Sequence, residues 1–395
     1  MIKRKIATFL LCASLLGTNL SFSSTAFASS VNSNVTYTQN DTLTKADEAN
    51  IKESINEVLS FKYEILKTGK SKNYSDIIKN PKLLELINAK SKLDVEWFKK
   101  FDGKTDEYIS NVNIINSSKT AFKTYVINVN YNVEFKIKGT DVTSKSGEKY
   151  RFEVKCENGK WYITKMLNLN ETNESKNNQL KQEVFLDIDN NFSDYEDKID
   201  LELKNINDNY ENMDENYNNF IQSTPNNNNS ENRLVGRSYA NFNYNAKAAV
   251  SYAQKYGKDP NPNYVYSRDS RGKGVDCTNF VSQCVLAGGI PASSYWYAYS
   301  NSWVRVIDFW SYMTSNGYGS TVEGVRGDGT QGARAGDVVQ FANNLYWSHS
   351  VILSGTILGG QWVYCGHSDE RLDYPLYIAY DDGGYKRLRT LKFWH

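Results

Sequence analysis

Histidine is scarce in this chain: there are three in 395 residues. Cysteine, with five, and proline, with six, are scarce too. Neither sign of charge dominates, since 46 Lys and Arg face 45 Asp and Glu. Each shortage excludes something. A near-neutral chain lacks the basic face that a nucleic-acid partner needs. So few cysteines make no disulfide framework. There is no C-x-x-C and no H-E-x-x-H, the spacings that hold zinc, so neither a metal nor an organic cofactor is implied. No apolar run is long and unbroken enough for a transmembrane helix.

What is present begins with a basic start, Met1-Ile2-Lys3-Arg4-Lys5. An apolar stretch over 6–16 follows, and Ala26-Phe27-Ala28 precedes Ser29. This order reads as a secretory signal peptide over 1–28. Cys12 lies in its apolar part without small residues before it, which argues against a lipid anchor. No L-P-x-T-G-type sorting signal stands near Trp394-His395. The mature protein is expected to be exported, extracellular or wall-associated, with no integral membrane anchor. Its cysteines are then Cys156, Cys277, Cys284 and Cys365. Cys277 and Cys284 on one helix stand ~10 Å apart at the helical rise. A disulfide needs Cα atoms within about 7 Å.

Residues 29–46 are polar and expected to be disordered. From Asp47 the pattern turns helical, with Ile51, Ile55, Val58, Leu59, Ile65 and Leu66 recurring at three and four. A short second helix is expected near 83–89. The period then changes to two along 126–137. After a turn region at 139–147, residues 150–154 continue it. Asn158-Gly159 is a hairpin turn leading into Trp161-Tyr162-Ile163-Thr164. Residues 47–166 therefore read as an α+β accessory domain. Residues 167–237, rich in Asn, Asp, Glu and Lys, read as a charged linker with weakly spaced apolar residues over 180–221. Asp187-x-Asp189-x-Asn191 fails as a calcium loop, because Phe192 stands where Gly is needed and Lys198 where a Glu should close it. The last domain, 238–395, is also α+β. Helices are expected at 246–256, 277–287 and 300–315, the last with Trp303, Val306, Ile307 and Trp310 inward. Strands are expected at 337–341, 348–354, 361–365, 377–380 and 388–394.

The chemistry sits in that last domain. Cys277 opens a helix in Asp276-Cys277-Thr278-Asn279-Phe280-Val281-Ser282-Gln283-Cys284. A helix N-terminus favours thiolate over thiol, and its unpaired N–H groups suit an oxyanion, the Cys277 amide first among them. A nucleophilic thiol needs a base and a group that orients the base. His349, in Trp347-Ser348-His349-Ser350, follows a short turn at Asn343-Asn344 and falls on the second strand of a hairpin, within reach of the helix tip. His367, one strand further, and Asp369, two residues on, both qualify as the orienting group. Asp276 reads equally as a helix cap or as a partner for a substrate ammonium. Asn279 and Gln283 read as structural hydrogen-bonders. Tyr295-Trp296-Tyr297-x-Tyr299 reads as a cleft wall or core in preference to a sugar platform. His395 reads as inert.

These motifs, with Asn261-Pro262-Asn263-Tyr264, Gly288-Gly289-Ile290-Pro291, Trp303, Gly336-Asp337-Val338-Val339 and His367-Ser368-Asp369, run in one order over 241–395. In that order they resemble the bacterial putative amidase domain of the papain-like group, which is similar to NlpC-type and CHAP-type cell-wall hydrolases. The resemblance implies a papain-like domain whose helix-borne Cys277 packs on an antiparallel sheet, with Cys277 as nucleophile and His349 as base. The NlpC-type pattern maps the third member onto His367, and the wider group leaves Asp369 open. The helices and meandering sheet of 47–166 resemble the cone-shaped fold of the nuclear transport factor 2 superfamily, a likeness of pattern that carries no catalytic residue.

The expectation is an exported cysteine amidohydrolase or peptidase. It would act on amide bonds in peptidoglycan peptides through an S-acyl intermediate, with 47–166 positioning it or binding a protein partner. Two rivals stand beside it. One is the same chemistry on another target, such as a glycan–peptide amide. The other is a non-catalytic wall- or protein-binding module with a degenerate amidase domain.

Overall fold

The computed structural model describes residues 42–169, 192, 194–222, 243–266, 275–321, 329–342, 347–382 and 387–393. The expected signal peptide, most of the segment expected to be disordered, the 187–191 run, the turn at Asn343-Asn344 and His395 lie outside them. From Thr42 onward the chain forms one unit.

The first helix, α1 (Lys45–Leu59), starts two residues before the expected Asp47 because Thr44 and Asp47 close a capping box. Helix α2 (Phe61–Thr68) continues it, and Gly69 ends α2 in the left-handed region. The short helix expected near 83–89 is in fact α3 (Pro81–Lys100), capped by the Asn80 side chain, with Pro81 in its first turn. Four strands follow: β1 (Thr105–Ala121), β2 (Thr124–Ile137), β3 (Thr143–Glu157) and β4 (Lys160–Asn168). Strand β1 escapes a sequence reading because most of its side chains are exposed, so it carries no apolar alternation. Asn158 and Gly159, both at positive φ, turn β3 into β4.

The segment expected as a linker carries helices α4 (Tyr195–Glu211) and α5 (Met213–Gln222). Tyr195, Ile199 and Ile206 of α4 are buried, and Lys82 of α3 pairs with Asp200 at 2.9 Å. Phe220 of α5 stands against Trp97 of α3 and Phe101, which caps it. A few well-spaced apolar residues therefore dock an otherwise solvated stretch.

The remaining elements are α6 (Ala246–Tyr256), α7 (Cys277–Ala287), α8 (Asn301–Val304), α9 (Val306–Ser315), β5 (Gly319–Thr321), β6 (Val338–Ala342), β7 (Trp347–Ile357), β8 (Gln361–Gly366), β9 (Glu370–Pro375), α10 (Leu376–Asp382) and β10 (Arg387–Phe393). The single helix expected over 300–315 breaks at Arg305, whose backbone is extended. Its inner residues are consequently Trp303, Phe309 and Met313, while Ile307 is exposed. Residues 377–380 form part of helix α10, not a strand. The Tyr377 carbonyl accepts the indole N–H of Trp97 at 2.8 Å, and its ring stacks on Phe101. Tertiary packing here overrides the strand preference of a Tyr-Ile-Ala-Tyr run.

The strands build one antiparallel sheet in the order β1-β2-β3-β9-β8-β7-β6-β10-β5, with β4 on β3. The two halves of the chain, expected as separate domains, thus share a sheet. Lys145, Ser146 and Gly147 of β3 pair with Leu372, Arg371 and Glu370 of β9. Strand alternation sends side chains to opposite faces. Val339, Phe341, Val351 and Leu353 join the core of the N-terminal helices, whereas Val338, Ile352 and Cys365 join a second core with α6, α7 and α9. The architecture is α+β.

A buried ion pair crosses the seam: Arg371 meets Glu148 at 2.7 Å, and Asp369 also reaches Arg371. Burial would push the Glu148 carboxyl up. The Arg371 guanidinium, Lys62, and the Tyr150 and Ser146 hydroxyls outweigh it and hold it well below 4.5. A carboxyl depressed by folding binds fewer protons folded than unfolded. Its stabilisation is therefore present above pH 4.5 and lost as pH falls below it. Melting curves from about pH 6 to about pH 3 should fall more steeply for the wild type than for Glu148→Gln. Parallel curves would remove Glu148 from the acid response.

Among the described residues no helix is long and apolar enough to cross a membrane.

Candidate active site

The expected helices at 246–256 and 277–287 are α6 and α7 residue for residue. Phe280, Val281, Cys284 and Val285 fill the core beneath α7, which seats Cys277 at its first residue, 8% exposed. Like the other first-turn amides, that of Cys277 has no acceptor within its helix. Strand β7 passes alongside. Thr278 Oγ1 donates to Ser350 Oγ at 3.2 Å, and Gln340 Nε2 reaches the same oxygen at 3.1 Å. Gln340 is held in turn by Arg389. The register of β7 against β6 places His349 opposite Phe341, half-buried and in ring contact with it.

Three groups then act on the Cys277 sulfur. Burial alone would push the thiol up. The charge and hydrogen bond of the His349 ring, the Ser350 backbone N–H and the Thr278 hydroxyl outweigh burial and hold it below 9.0. Elsewhere burial prevails. It pushes the Cys284 thiol well above its ordinary value, and with Asp373 it raises that of Cys365 to about 12. No disulfide joins Cys156, Cys277, Cys284 and Cys365. Iodoacetamide at neutral pH should therefore alkylate Cys277 first, with a rate profile whose midpoint lies below pH 9.0, while Cys284 and Cys365 stay unlabelled in the folded protein. Peptide mapping reads this directly, and equal labelling of Cys277 and Cys284 would contradict it.

His367 is elsewhere engaged. Its Nδ1 meets Asp276 Oδ2 at 2.7 Å and its Nε2 meets the Tyr256 carbonyl at 2.8 Å. Its ring lies between Phe280 and Tyr266. A carbonyl only accepts, so Nε2 carries a proton, and Nδ1 is spent on the carboxylate. The structure therefore does not bring His367 to His349 as an orienting group. Asp369 lies with Arg371 at the sheet seam. Asp276 is neither side-chain cap nor exposed: it is buried, and its second oxygen accepts from Asn279 Nδ2 at 2.7 Å. Asn279 also accepts from the Trp303 indole, and Gln283 accepts from Tyr252, so both are structural hydrogen-bonders as expected. What the sequence reading missed is the part of Ser350. Its side chain is tied to Thr278 and its amide points at the sulfur. The only signal was its place directly after His349.

The arrangement is a thiol at a helix tip with an imidazole and an amide on it, which can carry nucleophilic acyl transfer. Among the described residues no cluster of three His, Cys, Asp or Glu is disposed to hold a metal ion. Residues 243–388 match the family model described as putative amidase domain. A stretch of 161 residues is 32% identical to the uncharacterized protein YjcM of Bacillus subtilis (strain 168), covering 38% of this chain and 37% of that protein. A stretch of 124 residues is 30% identical to YhbB of the same strain, covering 28% and 37%. Each match thus spans 37% of the length of the relative. The crystal structure of the intermembrane space region of the chloroplast protein ARC6 aligns over 32% of this chain and 98% of that one, at 11% identity. Its TM-score of 0.24 is too low to carry an argument.

Proposed function

We propose that the amidase-like segment is a cysteine amidohydrolase that cleaves amide bonds in peptidoglycan peptides outside the cell. The observation that supports this most is the divergence of the thiols. Cys277 alone among the three buried cysteines is held below its ordinary value, and the groups responsible are those a nucleophile needs. The Cys277 thiolate attacks the amide carbonyl carbon, forming a C–S bond. The oxyanion is stabilised by the Cys277 amide. His349, carrying the thiol proton, gives it to the departing amine as the C–N bond breaks. Water then attacks the S-acyl carbon, His349 takes its proton, and the acid leaves with the thiol restored. The basic, apolar and Ala-x-Ala order of residues 1–28 supports export, which would bring the enzyme to the wall.

The test is digestion of purified Gram-positive cell walls by the mature chain, with mass spectrometry of the released fragments. New amine and carboxyl ends within or at the base of the stem peptides are expected. Release of nothing from walls and from small peptide amides alike would favour the binding-module reading.

A further inference from the structure

Nine large apolar side chains are exposed among the described residues, and six of them lie between 265 and 307: Val265, Val275, Tyr295, Tyr297, Tyr299 and Ile307. The other three, Ile109, Ile115 and Phe122, lie in or next to strand β1. The sequence reading placed the Tyr295–Tyr299 run in a cleft wall or core. Only Trp296 goes inward, packed on Trp303 at 4.7 Å and donating to Ser282. The alternation around it throws Tyr295, Tyr297 and Tyr299 out, with exposures of 76%, 53% and 47%.

This loop is fastened to the nucleophile's helix. The Ser293 hydroxyl accepts the Tyr295 and Trp296 amides, and Ser300 Oγ accepts that of Tyr297. Tyr299 sits at φ +72°, a conformation bulky residues rarely adopt. Its hydroxyl accepts the Val265 amide at 2.8 Å. The Val265 carbonyl in turn accepts from Asn279, which holds Asp276, the residue before Cys277. Strained, over-determined backbone of this kind gathers at working sites. Between residues 277 and 304 there is no Lys, Arg, Asp or Glu. The Tyr295–Tyr299 loop itself is therefore aromatic, hydroxyl-edged and uncharged.

We propose that Tyr295, Tyr297 and Tyr299 form a stacking platform for a neutral saccharide, which seats the glycan side of a wall fragment beside Cys277. The inference rests on the proposed function for its account of Cys277. Tyrosine ring faces match the C–H faces of sugar rings. The loop's own residues offer no charge to the ionic groups of a peptide.

The experiment is calorimetric titration of the mature chain with chitohexaose, an uncharged hexamer of N-acetylglucosamine. Saturable binding is expected. Tyr295→Ala/Tyr297→Ala should weaken it by about tenfold or more, and Tyr295→Phe/Tyr297→Phe should keep it. The single Tyr295→Ala, at the most exposed ring, serves if the double variant melts early. No binding by the wild type, binding unchanged in the alanine variants, or full competition by a charged Ala-Glu-Lys peptide would each overturn the platform. Wall hydrolysis is scored separately. Hydrolysis without chitohexaose binding removes the platform and spares the proposed function, and binding without hydrolysis does the reverse.

Discussion

Cys277→Ala is expected to bring amide hydrolysis to background while leaving the melting temperature close to that of the wild type. The sulfur contributes little packing that a methyl group does not, but every covalent step passes through it. Cys284→Ala is the matched control, seven residues further along the same helix and wholly buried. It should cost about 1–2 kcal/mol of stability and leave activity within about tenfold. His349→Ala removes both the proton carrier and the largest favourable influence on the thiol. Its rate should fall by about 10²–10⁴-fold, and its alkylation profile should shift to higher pH. Equal losses in the Cys277 and Cys284 variants would refute the assignment. An alkylation profile unmoved in His349→Ala would detach the imidazole from the thiol.

The placement of Cys277 and His349 was legible because its signals are local. An Asp-Cys-Thr-Asn opening before Phe280, Val281, Cys284 and Val285 fixes helix start, buried face and thiol position together. The alternation around His349 fixes its strand. What failed was long-range. Nothing within residues 145–147 announces that they pair with 370–372, so the two halves read as separate units. Residues 195–222 look solvated because Tyr195, Ile199, Ile206, Met213 and Phe220 are their only buried apolar residues, and these pack against distant elements, chiefly α3 about a hundred residues earlier. His367 was placed at the end of its strand, and it directly follows β8, but the direction of its ring depends on Asp276 and Tyr256, which sequence order does not bring together.

That direction changes what loss of His367 should do. As an orienting group it would act on rate alone, by about 10²–10⁴-fold. In the structure it is a buried partner of Asp276, each 1% exposed. Removing one member of such a pair leaves the other's polar group desolvated and costs about 3–5 kcal/mol. His367→Ala should therefore melt roughly 5–15 °C lower than the wild type. Below that transition, the molecules still folded should retain a measurable rate. Asp276→Asn should destabilise less, since the amide keeps a hydrogen bond to the ring. Asp369→Ala, at a partly exposed position, should be milder than either. A double-mutant cycle on His367 and Asp276 should give a coupling of about 0.5–3 kcal/mol. An unshifted melting temperature with a rate down by about 10²–10⁴-fold would return His367 to the proton-transfer machinery. The observed pair argues for the other outcome. Asp276 is the residue immediately before Cys277, so the ring that holds its carboxylate also holds the helix tip on which the thiol stands.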